Sequence, residues 1–181
     1  RQKDILLSNI QLCSNVFAFL ERTGLPFMFT SSQLVAPDTA YGITKLMGEH
    51  MTTALNGTVV RFWNVYGWEE PGEKSHVITD LVLQGLQRSN IQLMTTGEEE
   101  RQFIYIDDCV RNLHTIREQK MPGPIHLTNG RWMRIRELAD LVAKRFQVSV
   151  VPGSADGYQN KIDPDASYSV VHPPTSINKV I

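Results

Sequence analysis

The chain has 181 residues, of which 41% are apolar and 20% charged, and its formal net charge is −1 at pH 7. This length can bury one hydrophobic core and a small second lobe. Because acidic and basic residues nearly cancel and are scattered, the composition excludes a strong electrostatic attraction to nucleic acid or to an anionic membrane.

The first part of the chain alternates helical and strand-like patterns. Apolar residues at spacings of three and four predict a helix over 4–22, and the short apolar run 26–30 predicts a strand buried on both faces of a parallel sheet. We expect a polar loop over 31–39, a helix over 40–55 and a β-branched strand over 58–62. This succession is typical of a parallel α/β sheet whose faces are covered by helices.

The pattern changes after Phe62, where a loop rich in Gly, Pro and Glu covers 67–74. The elements predicted beyond it are helices at 75–87, 107–118 and 135–146, and strands at 91–95, 102–105, 125–128 and 148–151. We therefore expect an α/β fold with a partial Rossmann-like domain over 1–63 and a smaller α+β lobe over 64–181.

The sequence shows no pattern typical of a metal site, a disulfide or a membrane segment. The five histidines and two cysteines lack metal-ligand spacing, so we predict no metal site. Cys13 and Cys109 are expected to be buried free thiols in a reducing cytoplasm. No apolar run approaches the roughly 20 residues that span a bilayer, and the start shows no signal-peptide pattern, so we expect a cytoplasmic protein without a membrane partner.

Tyr41 and Lys45 lie four residues apart near the start of a predicted helix, so both side chains leave the same helix face. A phenol is a poor base at neutral pH, but a neighbouring ammonium stabilises the phenolate form. Such a pair can remove a proton from a sugar hydroxyl while hydride leaves the same carbon.

A hydroxyl partner is available at the end of the preceding predicted strand, in the run Thr30, Ser31 and Ser32. The carboxyl ends of parallel strands line a ligand crevice, so a serine there can hydrogen-bond the reacting oxygen. An ordinary solvated loop serine is the alternative interpretation.

Four segments in order resemble the motif set of the extended short-chain dehydrogenases/reductases, the NAD-dependent epimerase/dehydratase family: FMFTSS, AYGITKLMGEH, VVRFWNVYG and ERQFIYIDDCV. The resemblance runs from about Asn9 to Phe146. It implies a Rossmann-like sheet that uses NAD or NADP, a nucleotide-diphosphate sugar as substrate, a substrate-binding role for the smaller lobe, and a homodimer.

Matched by position, the resemblance implies that Tyr41 is the general base, that Lys45 holds the nicotinamide ribose, and that Ser32 is the hydroxyl partner. The implied cofactor contacts are Asn9, Thr30, Ser31, Tyr41 and Lys45. For Asn9, a helix-surface asparagine is the alternative.

The resemblance also implies substrate contacts from Asn64 and Arg101. The amide of Asn64 can donate and accept hydrogen bonds, and the guanidinium fork of Arg101 suits a diphosphate. Lys74 matches a position where some sugar epimerases place an acid/base lysine, and a solvated loop lysine is the alternative. For Arg101 the alternative is an ordinary surface ion pair.

The residues after Ser32 bear on the reaction type. Dehydratases of this family usually carry an Asp–Glu pair there, where this chain has Gln33 and Leu34, so dehydration is not expected. The cysteine that works opposite the epimerase lysine is also matched by Leu34. The hypothesis is an NAD(P)-dependent nucleotide-sugar epimerase or keto-sugar reductase. A non-catalytic nucleotide-sugar-binding or regulatory module of the same fold is the alternative.

The sequence departs from the family at two places. Family members open with a strand and a Gly-x-x-Gly-x-x-Gly turn that cradles the dinucleotide pyrophosphate, whereas the first glycine of this chain is Gly24. We therefore expect the cofactor-loop part of the protein to be missing from this chain. The interval from Ser32 to Tyr41 is also short, so either the loop is trimmed or residues between Val35 and Pro37 are missing.

Overall fold

A computed structural model describes residues 2–35, 38–70, 75–159 and 174–177. The chain forms two compact units and passes between them more than once. The first unit contains the chain up to Trp63 together with Arg111–Leu127. The second contains Asn64–Val110 and described residues from Thr128 onward.

Helices and strands follow one another along the whole described chain. In chain order they are α1 (Gln2–Thr23), β1 (Met28–Ser32), α2 (Ala40–Ala54), β2 (Thr58–Phe62), β3 (Asn64–Tyr66), α3 (Val77–Gln87), β4 (Asn90–Gln92), β5 (Glu100–Tyr105), α4 (Ile106–Glu118), β6 (Ile125–Leu127), β7 (Trp132–Arg134), α5 (Ile135–Phe146) and β8 (Ser149–Val151).

The first unit is built on a three-stranded sheet in the order β1-β2-β6, and both pairings are parallel. Phe17 of α1 is buried, and its ring packs edge-on against that of Phe27 with centroids 6.0 Å apart. Helix α2 approaches β1 closely, since a Cβ placed on Gly48 would lie 2.1 Å from a ring atom of Phe29. The helix that bears Tyr41 and Lys45 therefore rests directly on the strand that ends in Ser32.

The second unit contains a three-stranded sheet, β3-β5-β7, and a parallel pair, β4 and β8. Strand β3 runs parallel to β5, while β7 runs antiparallel to it. Its hydrophobic core includes residues of α3, α5 and the strands, among them Leu81, Ile91, Phe103, Leu138 and Val142. This core supports the strands that carry Asn64 and Arg101.

The prediction of a parallel α/β fold is confirmed, with corrections around β1. The predicted strand 26–30 begins only at Met28, and Ser31 and Ser32, which we expected in a loop, are strand residues. Pairing continues because Ser31 and Ser32 lie opposite Arg61 and Phe62 in the parallel register. The prediction that this strand is buried on both faces is wrong, since Met28 is only half-buried and Thr30 is exposed.

Other differences concern short strands and one cysteine. Strands β3 and β7 were not predicted, and the strand expected over 91–95 covers only Asn90–Gln92. Both cysteines are free, but Cys13 is half-buried, whereas Cys109 is buried. Among the described helices, none combines the length and apolar character needed to cross a bilayer.

The approach of residue 123 to β2 yields a stability prediction. A Cβ on Gly123 would lie 2.6 Å from the backbone oxygen of Val59. We expect Gly123→Ala to lower the free energy of unfolding by roughly 2–3 kcal/mol, because two backbones must separate. Gly24→Ala is the control: Gly24 has φ +62° and open space around it, so the cost is about 1 kcal/mol of backbone strain. If urea unfolding gave equal losses of unfolding free energy for the two variants, the clash expected at position 123 would be contradicted.

Candidate active site

The start of α2 is fixed by a helix cap. Thr39 has an extended backbone, and its Oγ1 accepts a hydrogen bond from the N–H of Gly42 at 2.9 Å. This is the usual way in which threonine satisfies a free N–H at a helix start. Tyr41 therefore lies in the first turn of α2, and Lys45 lies one turn later on the same face.

The ammonium of Lys45 is held at β1 beside the ring of Tyr41. Its Nζ donates to the carbonyl oxygen of Thr30 at 2.7 Å. It also lies 5.6 Å from the centroid of the Tyr41 ring and 5.3 Å from that of the Phe29 ring, within the range of cation–π attraction. The structure thus brings together the phenol and the ammonium that the helical spacing predicted.

The Tyr41 side chain is 47% exposed, and its hydroxyl makes no hydrogen bond to any residue that the structure describes. An ammonium has three N–H donors, and the Thr30 carbonyl uses one of those on Lys45. An open phenol and a partly free ammonium at the end of a parallel strand fit the hydroxyl groups of a nicotinamide ribose. The residues present therefore suit this end of the NAD(P) that the family uses.

The two serines at the end of β1 have different surroundings. Ser32 is buried, and its Oγ accepts from the N–H of Leu34 at 3.1 Å, which leaves the hydroxyl proton available for donation. Ser31 points the other way, as successive strand residues do, and its Oγ donates to Glu49 Oε1 at 2.5 Å. Its predicted cofactor contact stays a prediction, and in this structure its hydroxyl is bonded to Glu49.

Sequence reasoning missed the partners of Ser31. Arg61 of β2 donates to Glu49 from Nε at 2.8 Å and from Nη2 at 2.6 Å, a two-point ion pair. Burial by itself would raise the pKa of Glu49, but hydrogen bonds from Arg61 and Ser31 and the charge of Arg61 hold it below its ordinary value of 4.5. The signal was the arginine inside the otherwise apolar strand TVVRF, since a charge in such a place requires a partner.

Asn64 and Arg101 line one cavity of about 360 Å³ in the second unit. Asn64 Nδ2 donates to the carbonyl of Gln102 at 2.8 Å, and Arg101 donates to the carbonyls of Glu100 and Tyr158, both at 2.7 Å. A guanidinium has five N–H donors, so donors remain for an anion. The structure thus brings together two of the three residues predicted to bind substrate.

Asn9 and Lys74 are two further residues of the predicted site. Asn9 is half-buried on α1, and no hydrogen bond of its side chain involves another residue in the described ranges. Lys74 lies outside the described residues. The roles predicted for both stay predictions.

Parallel strands with a Tyr–Lys pair at the carboxyl end of the first are the arrangement of a short-chain dehydrogenase/reductase. Comparison with family profiles agrees: the profile of the NAD dependent epimerase/dehydratase family matches residues 1–129. The chain belongs to this family, which confirms the resemblance drawn from its four motifs.

Individual relatives are distant. UDP-glucuronic acid decarboxylase 1 of Danio rerio is 26% identical over 137 residues, which make up 70% of this chain and 33% of that protein. The chain thus spans only about a third of the length of this curated relative.

Solved structures share the fold. A GDP-L-fucose synthetase from Naegleria fowleri bound to NADP superposes with a TM-score of 0.85 at 19% identity, covering 99% of this chain and 68% of that one. A UDP-glucuronic acid 4-epimerase from Bacillus cereus, in complex with UDP-glucuronic acid and NAD, gives a TM-score of 0.76 at 21% identity over 95% and 64%. The parallel α/β architecture is therefore shared over most of the chain.

The ion pair of Glu49 yields a pH prediction. Because its folded pKa is depressed, it contributes stability above its ordinary pKa of 4.5 and loses that contribution as the pH falls through the folded value. We expect Glu49→Gln to lower the free energy of unfolding by roughly 1–3 kcal/mol near pH 7 and to weaken its dependence on pH below 4.5.

Urea unfolding across this pH range measures the effect. Glu21→Gln, at an exposed position of α1, is the control and should leave the stability near pH 7 almost unchanged. A Glu49→Gln variant that keeps the full acid dependence of the wild type would contradict the prediction.

Proposed function

We propose that the protein is an NAD(P)-dependent enzyme acting on a nucleotide-diphosphate sugar, as an epimerase or a keto-sugar reductase. The observation that carries the proposal is the open phenol of Tyr41 beside the ammonium of Lys45, which the carbonyl of Thr30 holds in place. In this proposal residues 1–63 belong to a partial Rossmann-like domain, to whose sheet Arg111–Leu127 adds the third strand, and the rest of residues 64–181 forms a smaller α+β substrate-binding lobe.

The proposed roles follow from the contacts of each group. Lys45 stabilises the phenolate form of Tyr41, which takes the proton of the sugar hydroxyl and becomes the phenol, while the remaining donors of Lys45 hold ribose hydroxyls. Ser32 donates its free hydroxyl proton to the reacting oxygen. Bound NAD(P) would supply the acceptor for the hydride that leaves the same carbon and the donor that returns it. Asn9, Thr30 and Ser31 are further proposed cofactor contacts.

The second unit is proposed to bind the nucleotide. Arg101 has donors available and lines the cavity with Asn64, so the two provide a positive fork and an amide for a diphosphate or sugar. Lys74 is a further proposed substrate contact.

The curated relative is a UDP-glucuronic acid decarboxylase, which suggests a third reaction that begins with the same oxidation of a sugar carbon. Oxidation of a uronic acid at the carbon β to its carboxyl group yields a β-keto acid, which loses carbon dioxide readily. The Tyr41 and Lys45 pair serves this oxidation as well as it serves epimerisation. Decarboxylation is therefore included among the reactions to be assayed.

We also propose a homodimer, because helices α1 and α2 expose large apolar side chains. These include Leu7, Leu12 and Phe19 on α1 and Ile43 and Met51 on α2, each more than 40% exposed. A cytoplasmic location stays a prediction.

The full-length protein is expected to bind NAD(H) or NADP(H), as measured by calorimetric titration. Tyr41→Phe should keep this binding but lower kcat by about 10²–10⁴-fold, the usual contribution of a general base. Tyr105→Phe, which removes a phenol hydroxyl from the second unit, is the matched control and should keep kcat. Turnover is followed with a panel of UDP- and GDP-sugars. Binding of a nucleotide sugar without either cofactor would favour the non-catalytic module instead.

Arg101→Ala is expected to raise the dissociation constant for a nucleotide-diphosphate sugar by about 10- to 100-fold, since it removes charge-assisted hydrogen bonds. Arg88→Ala is the control, because Arg88 is an exposed arginine at the end of α3 that does not line the cavity. Calorimetry with UDP-glucose and UDP-glucuronic acid measures both variants. Equal affinities for the two variants would remove Arg101 from the proposed site.

A further inference from the structure

Glu49 links α2 to both neighbouring strands. Its Oε1 accepts from Ser31 Oγ at 2.5 Å and from Arg61 Nε at 2.8 Å, and its Oε2 accepts from Arg61 Nη2 at 2.6 Å. Ser31 and Arg61 are direct partners in the register of β1 and β2. One carboxylate therefore contacts both strands at the same level of the sheet.

Glu49 also continues the row of side chains that begins with Tyr41 and Lys45. The three positions are four residues apart and follow one face of α2. Lys45 attaches this face to β1 at the Thr30 carbonyl, and Glu49 attaches it one residue later at the Ser31 hydroxyl. Two attachments one helical turn apart fix how far α2 can slide along β1.

Apolar packing alone would not fix this position. At Gly48 the helix lies against the ring of Phe29, and that ring packs against Phe17 with centroids 6.0 Å apart. Such contacts set the separation of helix and strand, but they are not directional. Hydrogen bonds are directional, so those of Glu49 determine the position along the strand.

We propose that Glu49 is a positioning residue for the proton-transfer pair, holding Tyr41 in place at the end of β1 through Ser31 and Arg61. The proposal rests on the proposed function, because it concerns the reaction assigned to Tyr41. Glu49 is buried and ion-paired, and it acts through the helix rather than by touching substrate. Its loss should therefore lower kcat while KM changes little.

The test compares Glu49→Gln with Thr52→Ala in the full-length protein. Thr52 is fully buried on the same helix and donates to the Gly48 carbonyl at 2.7 Å, so its loss controls for a general loosening of α2. With UDP-glucose and UDP-glucuronic acid as probes, Glu49→Gln should lower kcat by about 10²-fold with KM within about threefold. Thr52→Ala should keep kcat within about twofold. Equal losses of kcat, or a change in KM alone, would overturn the proposal.

A second readout does not need turnover and separates this proposal from the proposed function. 3-Fluorotyrosine incorporated at position 41 reports its surroundings by fluorine NMR. Glu49→Gln should shift or broaden the resonance, and Thr52→Ala should leave it in place. If the protein shows no turnover but gives this fluorine NMR result, only the proposed function is contradicted. A resonance unmoved by Glu49→Gln overturns the positioning role whatever the turnover.

Ser31→Ala is a milder variant in case Glu49→Gln does not fold. It removes one hydrogen bond from Glu49 and leaves the ion pair with Arg61 intact. We expect a loss in kcat of about 3- to 10-fold at saturating NAD(P) and a shifted fluorine resonance at position 41, because the Ser31 hydroxyl is one of the partners of Glu49. Wild-type kcat with an unmoved fluorine resonance would contradict the role given to Ser31.

Discussion

The carboxylate of Glu49 faces a guanidinium and a hydroxyl at a largely buried position, with its side chain 10% exposed and that of Arg61 25% exposed. A charge in such surroundings is stable only while its partners stay in place. Helix α2 and the strands β1 and β2 must therefore keep one mutual arrangement for the pair to persist. Tyr41 and Lys45 lie on the helix face that this pair holds, so in our proposal the geometry of the candidate site depends on this contact.

The elements whose bounds were predicted most closely are those with enough residues to show a period. Helix α1, helix α2 and strand β2 have apolar or β-branched patterns several residues long, and their predicted bounds are close to those observed. Strands β3 and β7 have three residues each, like β6 and β8, but they lie next to β2 and α5 in the chain and so show no separate pattern of their own. They become strands because β5 pairs with both, which is a tertiary cause that the local sequence does not contain.

The same distinction applies to the site. The spacing of Tyr41 and Lys45 along a helix is a local property, so the sequence was enough to place them on one face. The contact of Ser31 with Glu49 depends on strand direction, because a shift of one residue turns a strand side chain to the opposite face. Because β1 extends through Ser32, the side chains of Ser31 and Ser32 lie on opposite faces of the sheet. This extension of the strand depends on its pairing with β2.

The path of the chain affects how the first unit is assembled during synthesis. Its third strand, β6, pairs with β2 but lies more than sixty residues further along, after the first segment of the second unit, Asn64–Val110. A nascent chain that ends at Trp63 has β1 and β2 but exposes the edge of β2 that β6 later covers. Until the ribosome has released Leu127, that edge is open to wrong strand pairing, so chains truncated between Trp63 and Asn64 are expected to aggregate.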